Sequence, residues 1–152
     1  MALDQPTAED ALKELEVLVG TWKVQATPPG GEPWPGDAEI TYEWLEGSDE
    51  QLLVERSWVE MPEAPNGVCV FGCDAASGRY FQLYTDDRGV CRVYEVSIGG
   101  GEFRIWRDGE PFSQRFHGKF SDDGNKIEAR WEAAKDGENW ETDFDLVFTR
   151  VK

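Results

Sequence analysis

The stretch "LEVLVGTWKVQ", residues 15–25, joins a helical pattern to the first strand of the chain. Three leucines recur on one helical face, at Leu12, Leu15 and Leu18. Gly20 follows them, where a glycine is expected to end a helix. From Trp22 onward apolar and polar residues alternate, which predicts a strand with one dry face. We therefore expect a short helix over residues 7–18 that leads directly into a strand.

Turn signals recur through the rest of the chain, and short runs rich in Val, Ile, Tyr, Phe and Trp lie between them. This spacing is typical of an all-β sandwich or barrel. We predict ten strands, at residues 20–27, 37–46, 50–60, 68–74, 79–86, 90–98, 102–108, 113–121, 126–135 and 140–150. Their short connections favour hairpins between successive strands, as in a meander. The predicted fold is all-β: a ten-stranded antiparallel up-and-down barrel with a short N-terminal helix, in one domain over residues 1–152, the barrel spanning 20–150.

The strand number bears on function, because the diameter of a barrel grows with it. Eight strands already leave room for side chains or one small ligand, so ten should enclose a lumen unless aromatic side chains fill it. Three functions stay open. We expect non-enzymatic binding of a small apolar or aromatic molecule, with or without an acidic group. The alternatives are an isomerase or hydrolase that uses Arg92, Tyr94 and Glu95 in the same lumen, and a filled barrel that acts in protein interaction.

Charge excludes several partners. The chain has 31 acidic and 15 basic residues, for a formal net charge of −16. Such a surface repels nucleic acid and anionic lipid, so we expect neither nucleic acid nor a membrane as a partner. The N-terminal residues are acidic where a signal peptide would be basic, which favours a cytoplasmic location.

Two arginines fall on faces that the alternation assigns to the interior. Arg56 follows Leu52 and Val54 on one such face, and Arg92 precedes Tyr94 on another. An unpaired buried guanidinium is unfavourable, so each should meet a carboxylate, an aromatic ring or a ligand anion. We expect these arginines to bind the acidic group of an apolar ligand, with hydrogen bonds from Tyr42, Tyr84 and Tyr94. The alternative is that they lie at the barrel mouth or pair with a structural glutamate.

Most of the seven tryptophans fall on the predicted dry faces: Trp22, Trp44, Trp58, Trp131 and Trp140. Of these, Trp44, Trp58 and Trp131 are candidates to line a lumen around a planar ligand, the alternative being ordinary core packing. Trp34 lies in the proline-rich loop "PPGGEPWPG", where it could cover the barrel mouth or meet a second copy in a homodimer. The faces of Tyr80, Gln82 and Tyr84 stay open, because Phe81 and Leu83 make the opposite face equally apolar.

The Gly-x-Trp at Gly20 to Trp22, together with Arg150 near the end of the last strand, resembles the calycin superfamily of lipocalins, fatty-acid-binding proteins and nitrobindin-like barrels. The resemblance implies that Trp22 and Arg150 pack together across the closed end, a contact of about 0.5–2 kcal/mol. The stretches "FSQRFHGKFSDDGNKIEARWE" and "WETDFDLVFTR" are similar to a bacterial family of calycin-type domains with no assigned function.

Cofactor binding is not indicated. Nitrobindin-like haem proteins continue the glycine motif, whereas this chain has Val24 and Ala26 at those positions. The single histidine, His117, falls on the polar face of its strand, so we expect no haem. Cys69, Cys73 and His117 lack the spacing of a metal site, and no catalytic motif is present, so we expect neither a metal nor a catalytic residue.

Overall fold

The computed structural model describes residues 4–152 and contains one helix and ten strands. The helix α1 spans Glu9–Glu14 and continues as a 3₁₀ turn over Leu15–Leu18. The strands are β1 Gly20–Thr27, β2 Ala38–Trp44, β3 Leu53–Val59, β4 Gly67–Cys73, β5 Tyr80–Asp86, β6 Cys91–Gly99, β7 Glu102–Arg107, β8 Ser113–Phe120, β9 Lys126–Ala134 and β10 Glu141–Arg150. All ten predicted strands are present.

Every strand pairs antiparallel with its neighbours in sequence, and β1 pairs with β10 to close the barrel. Trp22 lies opposite Arg150 in that closing pair. Closure leaves no free sheet edge to pair with another chain. The predicted fold class, a ten-stranded antiparallel up-and-down barrel with a short N-terminal helix, is confirmed.

The helical segment covers one end of the barrel. Leu15, Leu18 and Trp22 are each 0% exposed there. The Trp22 indole N–H donates a hydrogen bond to the Leu18 carbonyl at 2.8 Å, and the Tyr80 hydroxyl donates to the Ala11 carbonyl at 2.6 Å. The α-helix is shorter than the predicted 7–18, because its last turn tightens to 3₁₀ where the leucines pack on the barrel.

No helix among residues 4–152 is long and apolar enough to cross a membrane.

Arg150 joins the helical segment to the last strand. Its guanidinium carbon lies 4.1 Å from the centre of the Trp22 ring. The guanidinium donates hydrogen bonds to the carbonyls of Val17 and Val19, and also to the Gly124 carbonyl at 3.2 Å. Gly20 has a φ of 136°, and a Cβ there would collide with the Lys152 carbonyl. The glycine therefore permits the start of β1 to approach Lys152 closely at this end of the barrel.

Candidate functional site

A cavity of about 700 Å³ occupies the barrel interior. The loops that line it join β1 to β2, β3 to β4, β5 to β6 and β7 to β8, and they include Trp34, Met61, Arg88 and Phe112. In an up-and-down barrel these loops lie at the end opposite the α1 segment. The cavity thus has one end covered by helix and one mouth rimmed by loops.

One wall of the cavity is aromatic and aliphatic. A row of side chains crosses β7 to β10 in register, one residue from each strand: Ile105, Phe116, Trp131 and Phe144. The rings of Phe116 and Trp131 have their centres 5.3 Å apart, and Trp34 covers Phe144 at 5.9 Å from the mouth side. The four side chains of this row are apolar and uncharged, and the exposed Asp143 beside Phe144 also lines the cavity.

The wall across the barrel is polar. A second row crosses β2 to β6 in register, again one residue from each strand: Tyr42, Glu55, Cys69, Tyr84 and Arg92. All but Cys69 line the cavity. The strand order places β4, the centre of this row, across the barrel from β9, one of the two middle strands of the apolar row.

Glu55 is the acid of the polar wall. The Tyr42 hydroxyl donates a hydrogen bond to Glu55 Oε1 at 2.7 Å. Burial raises the pKa of Glu55, and the hydrogen bond from Tyr42 opposes that shift. Burial and the neighbouring carboxyl likewise raise the pKa of Tyr42. A carboxyl with a raised pKa that faces a cavity can exchange a proton with a bound molecule, which is what the enzyme alternative requires.

Tyr84 and Arg88 share one carboxylate near the mouth. Asp86 Oδ2 accepts hydrogen bonds from the Tyr84 hydroxyl at 2.7 Å and from Arg88 Nη2 at 2.6 Å. The Asp86 side chain is only 1% exposed, and the bond from Arg88 lowers the pKa of that carboxyl. Burial raises the pKa of Tyr84. The charge of Arg88 is therefore balanced by Asp86.

Arg92 lacks such a partner. Its Nη1 donates to Gln114 Oε1 at 3.5 Å, and its guanidinium carbon lies 5.6 Å from the centre of the Phe112 ring. The Tyr94 hydroxyl donates to the same Gln114 oxygen at 2.5 Å. Within residues 4–152 no carboxylate forms an ion pair with Arg92. The guanidinium of Arg92 therefore faces the cavity without a neutralising carboxylate from residues 4–152.

The structure brings most of the predicted ligand-binding residues to the cavity: Tyr42, Tyr84, Arg92, Tyr94, Trp58 and Trp131 all line it. Trp58 contacts only the rim: it lies on the outward face of β3 with Arg56 and is 53% exposed, so its predicted dry face is wrong. Trp44 packs against the buried core and does not line the cavity. The tyrosines of β5 face inward, which settles the orientation that the sequence left open.

The structure corrects the predicted orientation of Arg56. The prediction that it faces the interior is wrong, because its side chain is 49% exposed and pairs with Glu43 at 2.6 Å on the outer surface. Both faces of β3 carry apolar residues, so alternation selected the wrong face. Glu95, named for the enzyme alternative, is also exposed on the outer surface.

Sequence reasoning missed several polar residues of the cavity, among them Glu55, Gln82 and Gln114. Glu55 shares the inner face of β3 with Leu53 and Ser57. Only its position opposite Tyr42 could have indicated that Glu55 faces inward. The sequence does not fix that pairing, because the length of the loop over residues 45–52 allows other registers. Gln82 lies between two inward tyrosines on a strand whose faces look alike in sequence.

The structure offers no histidine to a haem in the cavity. His117 lies on the outer surface, with its Nε2 atom 3.1 Å from Glu102 Oε1, and it is the only histidine of the chain. No group of three or more His, Cys, Asp or Glu side chains in the described residues is arranged to hold a metal ion. The residues present do not fit haem ligation through histidine.

No protein-family model and no curated protein matches the chain. Several solved structures are similar to it, among them the following two. Rv2717c from M. tuberculosis matches with a TM-score of 0.63 and 13% identity, over 98% of this chain and 100% of that one. The S-type phycobiliprotein lyase CPES from Guillardia theta matches with a TM-score of 0.59 and 12% identity, over 96% and 93%. The narrower resemblance to a bacterial family stays a prediction. The likeness concerns the fold alone, which in this chain is a closed ten-stranded antiparallel barrel.

Proposed function

We propose that the barrel binds a small, largely apolar molecule with an aromatic ring in its cavity, and that Arg92 contacts an acidic group of this molecule. The observation that carries the proposal is the guanidinium of Arg92, which faces a cavity of about 700 Å³ without a carboxylate partner in the described residues. Desolvating an unpaired cation is unfavourable, and a ligand anion would offset that loss. No cofactor is part of this proposal.

Two further observations support it. The cavity favours a hollow barrel over one that its own aromatic side chains fill. The row of Phe116, Trp131 and Phe144 supplies a flat apolar wall, and aromatic rings pack well on such a surface. Pockets of this volume, mostly apolar with a few convergent polar groups, are typical of small-molecule sites.

Two fluorescent probes that differ by one anionic group test the proposal. Anilinonaphthalene sulfonate and N-phenyl-naphthylamine share a ring system, and only the first has a sulfonate. We expect Arg92→Met to weaken sulfonate binding at least about tenfold, because a charge-assisted hydrogen bond is lost. Binding of the neutral probe should change less than about twofold, which also shows that the cavity is intact.

Arg79→Met is the matched control, since it removes the same charge from an exposed position. It should leave the affinity for both probes unchanged. Loss of sulfonate binding in both variants would assign the effect to net charge and contradict the role of Arg92. Failure of the wild-type protein to bind either probe would contradict the proposed function itself.

A further inference from the structure

The cavity divides lengthwise into two unlike walls. Polar side chains of β2 to β6, joined by Gln114 of β8, form one wall, and the apolar row from β7 to β10 forms the other. A ligand with a polar head and a long apolar tail would instead need its polar contacts gathered at one end. Here the polar groups extend along one side of the cavity. This arrangement matches a flat molecule with one polar edge, whose other edge and faces are apolar.

Gln82 is the unsatisfied member of the polar wall. Its side chain is 3% exposed and lines the cavity on β5, paired in register with Phe71 and Tyr94. Its Oε1 atom is buried and has no hydrogen-bond donor in the described residues. A buried carbonyl without a donor is unfavourable in a folded protein, so such groups are rare and call for an explanation.

The other polar groups do not supply that donor. The hydroxyls of Tyr42, Tyr84 and Tyr94 are each committed to another acceptor: Glu55, Asp86 and Gln114. Arg92 donates to Gln114. A bound molecule with its own donor would satisfy the Gln82 carbonyl without breaking any of these bonds.

Building on the proposed function, we propose that the ligand is a flat ring-containing molecule with a hydroxyl or N–H group on its polar edge, and that this group donates a hydrogen bond to Gln82 Oε1. The apolar edge and faces of the ring then pack on the row that includes Phe116 and Trp131. Arg92 contacts an acceptor or acidic group farther along the same edge. The site selects ligands by their donor as well as by their charge.

The test compares two competitors, β-naphthol and its methyl ether, in displacing bound anilinonaphthalene sulfonate. They share the ring and the oxygen, but only the naphthol has a hydrogen to donate. The ratio of their inhibition constants does not depend on the affinity of the probe. We expect this ratio to favour the naphthol about five- to tenfold more in the wild-type protein than in Gln82→Met, which has no acceptor amide.

Two variants control the comparison. Gln25→Met makes the same substitution at an exposed position of β1 and should keep the wild-type ratio. Gln82→Glu keeps an acceptor oxygen and should also keep the preference for the naphthol. An equal ratio in the wild-type protein and Gln82→Met would overturn the inference. If the competitors displace the probe with that equal ratio, the proposed function still holds and only the role of Gln82 is contradicted. If the wild-type protein binds neither probe nor competitor, the proposed function and the role of Gln82 are both contradicted.

Discussion

At the closed end of the barrel, the side chain of Arg150 contacts three separate segments. It stacks on Trp22 of β1, and it donates hydrogen bonds to the carbonyls of Val17 and Val19 and to the side chain of Asn125. The planar fork of a guanidinium can stack and donate several hydrogen bonds at once, which the point charge of lysine cannot do. The planar shape of the Arg150 guanidinium therefore contributes more to these contacts than its positive charge.

Arg150→Lys should therefore destabilise the protein although it keeps the charge. The stacking contact and at least one hydrogen bond are lost, so we expect the free energy of unfolding to fall by about 1–3 kcal/mol. Urea unfolding followed by tryptophan fluorescence measures this change. Arg79→Lys, at an exposed position, serves as the control and should leave stability unchanged. Equal stability of Arg150→Lys and the wild-type protein would show that the fork contributes nothing.

Glu55 should make stability depend on pH. Burial raises the pKa of its carboxyl in the folded state above the ordinary 4.5, so the proton binds more tightly to the folded protein than to the unfolded chain. The resulting stabilisation is complete below 4.5 and is lost as the pH rises through the raised pKa. Glutamine at this position does not ionise and is free of this loss.

We therefore expect Glu55→Gln to gain stability relative to the wild-type protein as the pH rises from about 5 to about 8. Urea unfolding of both proteins at the two pH values gives the difference. Glu43→Gln, which neutralises an exposed carboxylate of β2, controls for net charge. A relative stability that stays constant, or moves the other way, would show that the Glu55 pKa is not raised.

At the scale of single elements, strand positions were predictable because turn residues mark the ends of the strands. The faces of several strands were not predictable. An apolar row also crosses the outward face of β3 to β6 in register, from the buried Val54 to the exposed Val93: Val54, Val70, Leu83 and Val93. Alternation identifies a dry face only when the opposite face is polar. On β3 and β5 it is not, which explains the error at Arg56 and the missed Glu55 and Gln82.

The last strand shows a second reason for such errors. The register of β10 shifts between Thr142 and Phe144, as in a β-bulge. Alternation is interrupted there, so Trp140 does not share the inner face of Phe148. It stacks on the Arg115 guanidinium at 4.0 Å instead, on the outer side of the barrel. The predicted dry face of Trp140 is therefore wrong.

At the scale of the whole molecule, barrel closure creates the site. The polar wall gathers side chains from five strands, and successive members lie 8 to 15 residues apart in sequence. Arg92 and Tyr94 could be found from sequence because β6 alternates cleanly. Gln114 of β8 contacts both of them across β7, and the pairing of Tyr42 with Glu55 depends on the register of β2 and β3. The spacing of residues in the sequence does not predict such contacts.

The most direct test of the central claim, that the barrel interior binds an apolar ring, uses the seven tryptophan indole N–H signals in a nitrogen–proton NMR spectrum. The added molecule is N-phenyl-naphthylamine. Trp131 lies in the apolar wall of the cavity, whereas Trp140 stacks on Arg115 outside the barrel. We predict that the Trp131 signal shifts on titration and that the Trp140 signal does not. A shift confined to Trp140 or other outer positions, with Trp131 unchanged at saturation, would contradict binding in the barrel interior.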